Sequence, residues 1–300
     1  MAQLIKLQDY ISRYETNVYQ YSSQFIQMKT ANWKGLQDAW KRGQLPEPEN
    51  DEEPSEQEEE GVMKRMWKKM RKKDDVDIWQ EEETVSKVPA TEDELKIDFL
   101  DRLLSFQLKW ASTTIQEKSF LDRSYEQDPL LKFYLQRFPD TYLLMFNPHV
   151  EMKRAILDLE QLLIGPHELD IIVHLDVEED SAIYPEEGKS WYIEDRGIRK
   201  KIPNPLLSLQ RAETYVRSVF HTYGHSFPYR KIVLAPKGHF AKTTRPYQTD
   251  YIGKEEYEGW MNEKRMLKMP LKHAQLKTAQ LLLKHTRTTS VRRPEWEETE

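Results

Sequence analysis

The stretch from residue 141 to residue 235 most constrains the fold, because short apolar segments, turns and one helix follow one another there. Residues 141–146 and 169–175 are nearly continuous in apolar residues, a pattern typical of strands buried on both faces. Residues 155–164 predict a second strand between these two. The turn at residues 165–168 is too short for a crossover, so the second and third strands should form an antiparallel hairpin.

The second half of this stretch predicts one more strand, a helix and a final strand. A fourth strand surrounds Trp191 and closes at Asp195-Arg196-Gly197. Asn204-Pro205 then supplies a helix N-cap with proline at the first helical position, and Gly224 supplies the C-cap. The last strand, 231–235, should lie next to and parallel with an earlier one, which gives an α/β fold with a small mixed sheet.

Helices are predicted on both sides of this core. Tyr, Trp and aliphatic residues recur at helical spacing over residues 4–40. A capping-box pattern at residues 91–94 and an N-cap at Asp128-Pro129 begin two further helices. After the core, Pro270 separates helical segments at residues 254–269 and 271–285.

Composition divides the chain into four predicted segments. These are a helical N-terminal segment (1–44), an acidic and basic linker (45–89), the α/β domain (90–252) and a helical C-terminal tail (253–300). Residues 45–60 are almost entirely Pro, Glu, Asp, Ser, Gln and Asn, which bury too little apolar surface to offset ordering entropy. We therefore expect this linker to be disordered and to be cut by protease within residues 47–60.

A basic segment at residues 62–73 is the first candidate binding element. Met63, Met66, Trp67 and Met70 have helical spacing, and the stripe is bordered by basic residues. The candidate contact residues are Lys64, Arg65, Trp67, Lys68, Lys69 and Arg71. These residues favour a nucleic acid, a protein groove or an anionic membrane surface as partner. The alternative is that residues 62–73 form a solvated basic segment that pairs with the neighbouring acidic runs.

A second candidate is the loop at residues 237–247, where Lys237, Lys242 and Arg245 alternate with aromatic residues. Such interleaving is typical of nucleic-acid loops, although a solvated loop fits equally. His221 and His225 have the spacing of two metal ligands, but Gly224 lies between them and no acidic third ligand is near in sequence. We interpret them as surface histidines and predict no metal site.

Composition also excludes several classes of function. The chain has no cysteine, which excludes disulfides, thiolate zinc sites, iron–sulfur ligation and a cysteine nucleophile. No apolar run approaches the roughly 18 residues of a membrane span, so we expect a cytoplasmic protein that is not transmembrane. The net charge of -6 means that any polyanion site must be a local patch.

The order of these elements resembles the nuclease-related domain (NERD) family, a relative of the restriction-endonuclease fold. The resemblance covers residues 138–240, about a third of the chain, and rests on the hairpin with an acid-x-acid pair, the Trp strand, the Asn-Pro helix and the Ile-Val-Leu strand. It implies a restriction-endonuclease-like mixed sheet. In the family pattern the second strand carries Glu-x-Asp, the third strand ends in Glu-x-Lys, and the helix begins Pro-x-x-Gln.

This sequence departs from the family pattern where the family places its chemistry. Asp158 and Glu160 match the first acid pair with the acids exchanged, but Val173 and Leu175 stand at the Glu and Lys positions, and Ser208 at the Gln position. A nuclease of this class needs carboxylates that converge on Mg²⁺ and a lysine beside the attacking water. A shifted register would use Glu168 and Asp170, which share a strand face, with Lys189 as the lysine.

Two functions follow from the resemblance. The first is a catalytically degenerate protein with a binding or regulatory role and no cofactor, whose partner is a nucleic acid or a protein. The alternative is a Mg²⁺-dependent nuclease that hydrolyses phosphodiester bonds with Asp158 and Glu160, or with Glu168 and Asp170.

Overall fold

The computed structural model describes residues 1–43, 89–152, 155–267 and 269–293. Contacts divide the chain into two compact units, one formed by residues 1–23 and 104–300, the other by residues 24–103. In chain order the described elements are β1 (Gln3–Leu7), α1 (Arg13–Lys41), α2 (Glu92–Trp110), β2 (Glu117–Lys118), a 3-10 turn (Arg123–Glu126), α3 (Pro129–Arg137), β3 (Leu143–Phe146), β4 (His149–Met152), β5 (Ala155–Asp158), β6 (Gln161–Ile164), β7 (Leu169–His174), β8 (Ala182–Tyr184), β9 (Ser190–Asp195), β10 (Ile198–Pro203), α4 (Pro205–Thr222), β11 (Tyr229–Leu234), β12 (His239–Phe240), β13 (Thr249–Ile252), α5 (Lys254–Met266), α6 (His273–Leu283) and β14 (Val291–Arg292).

The larger unit is built on a six-stranded mixed sheet in the order β1-β3-β6-β7-β11-β13. Strand β6 is antiparallel to both neighbours, while the β1/β3, β7/β11 and β11/β13 pairs are parallel. Strand β3 is buried throughout and β7 almost throughout. Helix α4 packs on β7 and β11, α6 on β6, and α3 on β3. The predicted α/β class is confirmed, residues 161–164 form an antiparallel hairpin with β7, and β11 is parallel to β7 as predicted. Strand β11 is not the last strand of the sheet, because β13 follows it and pairs with its other side.

A second sheet, in the order β10-β9-β8-β12, contains the strand with Trp191. The β9/β10 hairpin turns at Arg196 and Gly197, whose φ angles are 48° and 79°. Two consecutive positive φ values define the two-residue turn that matches strand twist, and glycine adopts this conformation without steric cost. The predicted strand is therefore present, but it lies outside the main sheet.

The predicted helix starts are confirmed by their caps. Asp128 accepts hydrogen bonds from the backbone N–H groups of Leu130 and Leu131, and Asn204 accepts one from Leu206. Thr91 Oγ1 accepts a hydrogen bond from the Glu94 N–H. The two helical segments after residue 253 are α5 and α6.

The prediction of helix from residue 4 is wrong for the first residues. Residues 3–7 form β1, which is fully buried and pairs in parallel with β3, and helix begins only at Arg13. Lys6 obscured the strand pattern. Its ammonium is buried but donates hydrogen bonds to Glu15 and Thr288, at 2.6 and 2.8 Å, and these compensate its charge.

The single strand predicted over residues 155–164 is also wrong, because two strands occupy it. Strand β5 is largely exposed and pairs with β4, whereas β6 is buried and pairs with β7. The break falls at residues 159–160, where the Leu159 N–H donates to the carbonyl of Pro148. One continuous strand cannot serve both partners, so the Asp158 strand is not the partner of β7.

In the smaller unit, the described residues 24–43 and 89–103 pack through a few side chains. The rings of Trp33 and Phe99 lie 5.3 Å apart, and Trp40 Nε1 donates to the carbonyl of Pro89. Residues 44–88 lie outside the described residues, so the predictions for the linker and for the basic segment 62–73, including Lys64, Arg65, Trp67, Lys68, Lys69 and Arg71, stay predictions. The predicted boundaries at 44, 89 and 252 likewise stay predictions. None of the helices in the described ranges is long and apolar enough to cross a membrane.

Candidate functional site

The first predicted acid pair does not converge. Asp158 ends β5 with its side chain 76% exposed and lies 3.3 Å from His149 Nε2. Glu160 lies in the break before β6 and is partly buried beside Ser208 and Arg211 of α4. Burial raises the pKa of Glu160, and the hydrogen bond with Ser208 and the charge of Arg211 oppose that rise. Asp158 and Glu160 therefore occupy different environments.

The second predicted pair, Glu168 and Asp170, does converge, and it converges on a lysine. The Lys264 Nζ atom of α5 lies 3.0 Å from Glu168 Oε1 and 2.5 Å from Asp170 Oδ2. The side chains of Lys264 and Asp170 are only 5% and 1% exposed. The buried carboxylate of Asp170 therefore has the Lys264 ammonium as its counter-charge.

Arg230 of β11 extends this arrangement to the next strand. Its Nε atom lies 3.3 Å from Glu168 Oε2, and its Nη1 atom donates to Asp250 Oδ2 at 2.9 Å. We call Glu168, Asp170, Arg230, Asp250 and Lys264 the ionic network. It joins the beginnings of β7, β11 and β13 to α5 through three carboxylates and two cations.

Burial and pairing oppose each other within the ionic network. Burial raises the pKa of Asp170 to about 6, although Lys264 opposes that rise. Burial lowers the pKa of Lys264, but Asp170 and Glu168 outweigh it and hold that pKa above its ordinary value. At neutral pH the pair is therefore ionised, with Lys264 as its cation.

The remaining positions of the family pattern carry no catalytic group. Val173 is buried within β7, and Leu175 follows that strand. Lys189, the lysine expected for the shifted register, lies in the turn before β9, where its carbonyl accepts a hydrogen bond from the Asn204 N–H. The lysine that contacts Glu168 and Asp170 is Lys264, so the prediction that paired them with Lys189 is wrong.

The ionic network does not fit a divalent cation. A Mg²⁺ ion requires oxygen ligands in a nearly octahedral arrangement, and here a buried ammonium already occupies the space between the carboxylates. In the described part of the chain, no group of three or more His, Asp or Glu side chains is placed to hold a metal ion. His225 Nε2 lies 2.8 Å from Thr278 Oγ1.

The predicted loop at residues 237–247 is a surface loop with partly paired cations. Lys237 Nζ lies 3.7 Å from Asp176 Oδ1, and Arg245 Nη2 lies 3.6 Å from Glu256 Oε1. Lys242 is exposed, and Tyr247 is 84% exposed. The structure therefore leaves both the nucleic-acid and the solvated-loop interpretation open.

A surface cluster centred on His239 was missed by sequence reasoning. His239 lies 2.6 Å from Glu255 and 3.2 Å from Asp180, and Lys254 lies 2.6 Å from Asp180. Hydrogen bonds with Glu255 and Asp180 raise the pKa of His239. Asp180 and His239 are 59 residues apart in the chain, so no local motif joins them.

No family model matches the chain, and no solved structure matches it. Among curated proteins it is similar to an RNA 2',3'-cyclic phosphodiesterase from Geobacillus stearothermophilus, with 35% identity over 119 residues. The similar region covers 36% of this chain and 36% of that protein, so the chain spans about a third of the length of the curated relative it matches.

Proposed function

We propose that this chain is a catalytically degenerate relative of the NERD family, located in the cytoplasm, with a binding or regulatory role. The element order supports the proposal. The β6/β7 hairpin, the Trp191 strand, the Asn204-capped helix and a final strand parallel to β7 follow one another as the resemblance implies.

The observation that carries the loss of catalysis is the position of Lys264. Its ammonium lies between the two carboxylates that a shifted active site would use. The acids of the unshifted site are separated, with Asp158 beside His149 and Glu160 beside Ser208. The first pair does not converge, and the second converges on an ammonium, so neither leaves the open carboxylate site that metal-assisted hydrolysis requires.

A second candidate function is phosphodiester hydrolysis. It is favoured by the similarity to a protein named as an RNA 2',3'-cyclic phosphodiesterase, although that similarity covers only 36% of the chain. The nuclease alternative would also hydrolyse a phosphodiester bond. Its Mg²⁺ ion would be bound by Asp158 and Glu160 or by Glu168 and Asp170.

A cleavage assay tests both functions. The full chain is incubated with single-stranded DNA, double-stranded DNA, RNA and a 2',3'-cyclic nucleotide, each with Mg²⁺, with Mn²⁺ or with a chelator. We expect no product in any mixture. Cleavage that disappears in Glu160→Gln or Asp170→Asn, with the variant folded by circular dichroism, would refute the degenerate function and identify the active register.

A further inference from the structure

The second sheet has two unlike faces. Strand alternation directs Ile183 and Trp191, both fully buried, to one face. Tyr184 and Tyr192 are directly opposed across β8 and β9 on the other face, where Lys201 of β10 is the next cross-strand neighbour. Both tyrosines are partly exposed. The outer face therefore presents a row of two aromatic rings and a lysine.

Arg199 adds a planar cation to this row. Its guanidinium lies 4.2 Å from the centroid of the Tyr192 ring and 5.2 Å from that of Tyr184. Glu186 holds it there by accepting a hydrogen bond of 2.9 Å from Nη2. We call Tyr184, Tyr192, Arg199 and Lys201 the aromatic face. Aromatic rings and guanidinium planes are the surfaces on which unpaired bases stack.

The hairpin that carries this face is locally basic in a chain of net charge -6. Residues 196–203 contain four cations and no acidic residue, and all four cations are exposed. They are Arg196, Arg199, Lys200 and Lys201. Strand β10 is the edge of its sheet, so these side chains stand at an open border. Glu186 and Glu194 lie beside Arg199, whereas Lys201 and Arg196 stay available to phosphates, since Arg196 is 92% exposed and contacts Asp195 only at 4.0 Å.

We propose that the aromatic face binds single-stranded nucleic acid. Bases stack on Tyr184, Tyr192 and Arg199, and the phosphates follow Lys201 and Arg196 along the β10 edge. A flat stacking surface favours unpaired bases over an acidic peptide, because a peptide needs the cations but makes no use of two adjacent rings. The proposal rests on the proposed binding role and gives that role a site and a ligand class.

The test measures fluorescence anisotropy of labelled 20-nucleotide oligo(U) and oligo(dT) with the full chain over a range of salt. We expect both to bind. Tyr184→Leu/Tyr192→Leu should weaken binding at least about fivefold, since each stacked base contributes about 1–3 kcal/mol. Arg199→Lys keeps the charge but loses the planar surface, so it should weaken binding on an intact fold.

Lys200 provides a matched control. Lys201→Ala and Lys200→Ala remove the same charge from adjacent residues of β10, but strand alternation places Lys200 on the opposite face. We expect Lys201→Ala to reduce the logarithmic salt slope by about 0.7, as one lost phosphate contact does. Lys200→Ala should leave the slope unchanged.

Several results would overturn the proposal. They are failure of both oligonucleotides to bind, equal effects of Lys201→Ala and Lys200→Ala, full binding by the tyrosine double variant or Arg199→Lys, and competition by polyglutamate as strong as that by unlabelled oligo(U). None of them bears on cleavage, so the proposed loss of catalysis is judged separately by its own assay.

Discussion

Replacing Lys264 by methionine tests whether the ionic network is structural. Methionine keeps the length of the side chain but removes the ammonium, so Asp170, only 1% exposed, loses the cation that contacts it. Breaking a buried pair from one side costs about 3–5 kcal/mol. Asp170 can limit this cost by taking up a proton. Because the pKa of Asp170 is about 6 in the intact pair, protonating it at about pH 7 costs only about 1.4 kcal/mol, or one unit.

The variant should therefore lose about 3–4 kcal/mol of unfolding free energy near neutral pH. The sign of the pH dependence follows from the raised pKa. In the variant the pKa of Asp170 rises further above the value of about 6 that it has beside Lys264, so the loss relative to the wild type grows as pH rises from about 6 towards the variant's folded pKa. At about pH 5 Asp170 is largely protonated in both folded proteins, so the loss should be about 1.4 kcal/mol smaller than at about pH 7. Urea unfolding followed by far-UV circular dichroism at both pH values measures the difference.

Two controls isolate the effect. Lys264→Met/Asp170→Asn removes both charges and should recover most of the stability, because no unpaired charge is then buried. Lys96→Met makes the same substitution at an exposed lysine of α2 and should change stability by less than about 0.5 kcal/mol. A loss below about 1 kcal/mol for Lys264→Met, or an equal loss at both pH values, would refute a structural role for the pair.

Two further predictions concern other parts of the larger unit. NMR titration should show the pKa of His239 above its ordinary value, because His239 forms hydrogen bonds with Glu255 and Asp180. The pKa of His174 should lie below its ordinary value, because burial is the dominant effect there. Glu255→Gln should lower the pKa of His239, and an unchanged pKa would contradict the pairing. The His239 contribution to stability should be present below about pH 6.5 and be lost as pH rises through the raised pKa. Gly253→Ala should cost about 1–3 kcal/mol by calorimetry, because a Cβ there would lie 2.8 Å from the carbonyl of Gly238. Gly259 lies inside α5, and no atom lies within 4 Å of the Cβ that alanine would add there. Gly259→Ala should therefore stabilise the protein by about 0.5–1 kcal/mol. Equal effects of the two substitutions would show that only helix propensity is being measured.

Local signals predicted the elements that depend on local physics. Asp128 and Asn204 cap their helices as the Asp-Pro and Asn-Pro pairs indicated, since a cap is made within three residues of itself. The apolar runs predicted β3 and β7 because strands buried on both faces lack alternation. Strand β1 was missed because its pairing partner, β3, lies far along the chain, so residues 3–7 alone do not show the pairing.

The candidate site could be predicted only in part for the same reason. Glu168 and Asp170 were recognised as a pair on one strand face, and they do point to a common group. The identity of that group was beyond local reasoning, since Lys264 arrives from a helix 96 residues after Glu168. Likewise, residues 155–164 alone do not show that β5 belongs to a separate hairpin with β4. Strand formation depends on contacts with the neighbouring strand as well as on the strand's own sequence.

An acid-x-acid pair on a strand is compatible with a metal site and with an ion pair, and the counter-charge decides between them. Here the counter-charge is a lysine with 5% of its side chain exposed, and Asp170 is buried more deeply still. A phosphodiester cannot reach a carboxylate at that depth, and a Mg²⁺ ion would have to displace an ammonium held by two carboxylates. Tying α5 to the sheet in this way uses the hairpin acids for stability. A binding function must then use exposed surface elsewhere, and the aromatic face supplies one with partly exposed rings and exposed cations.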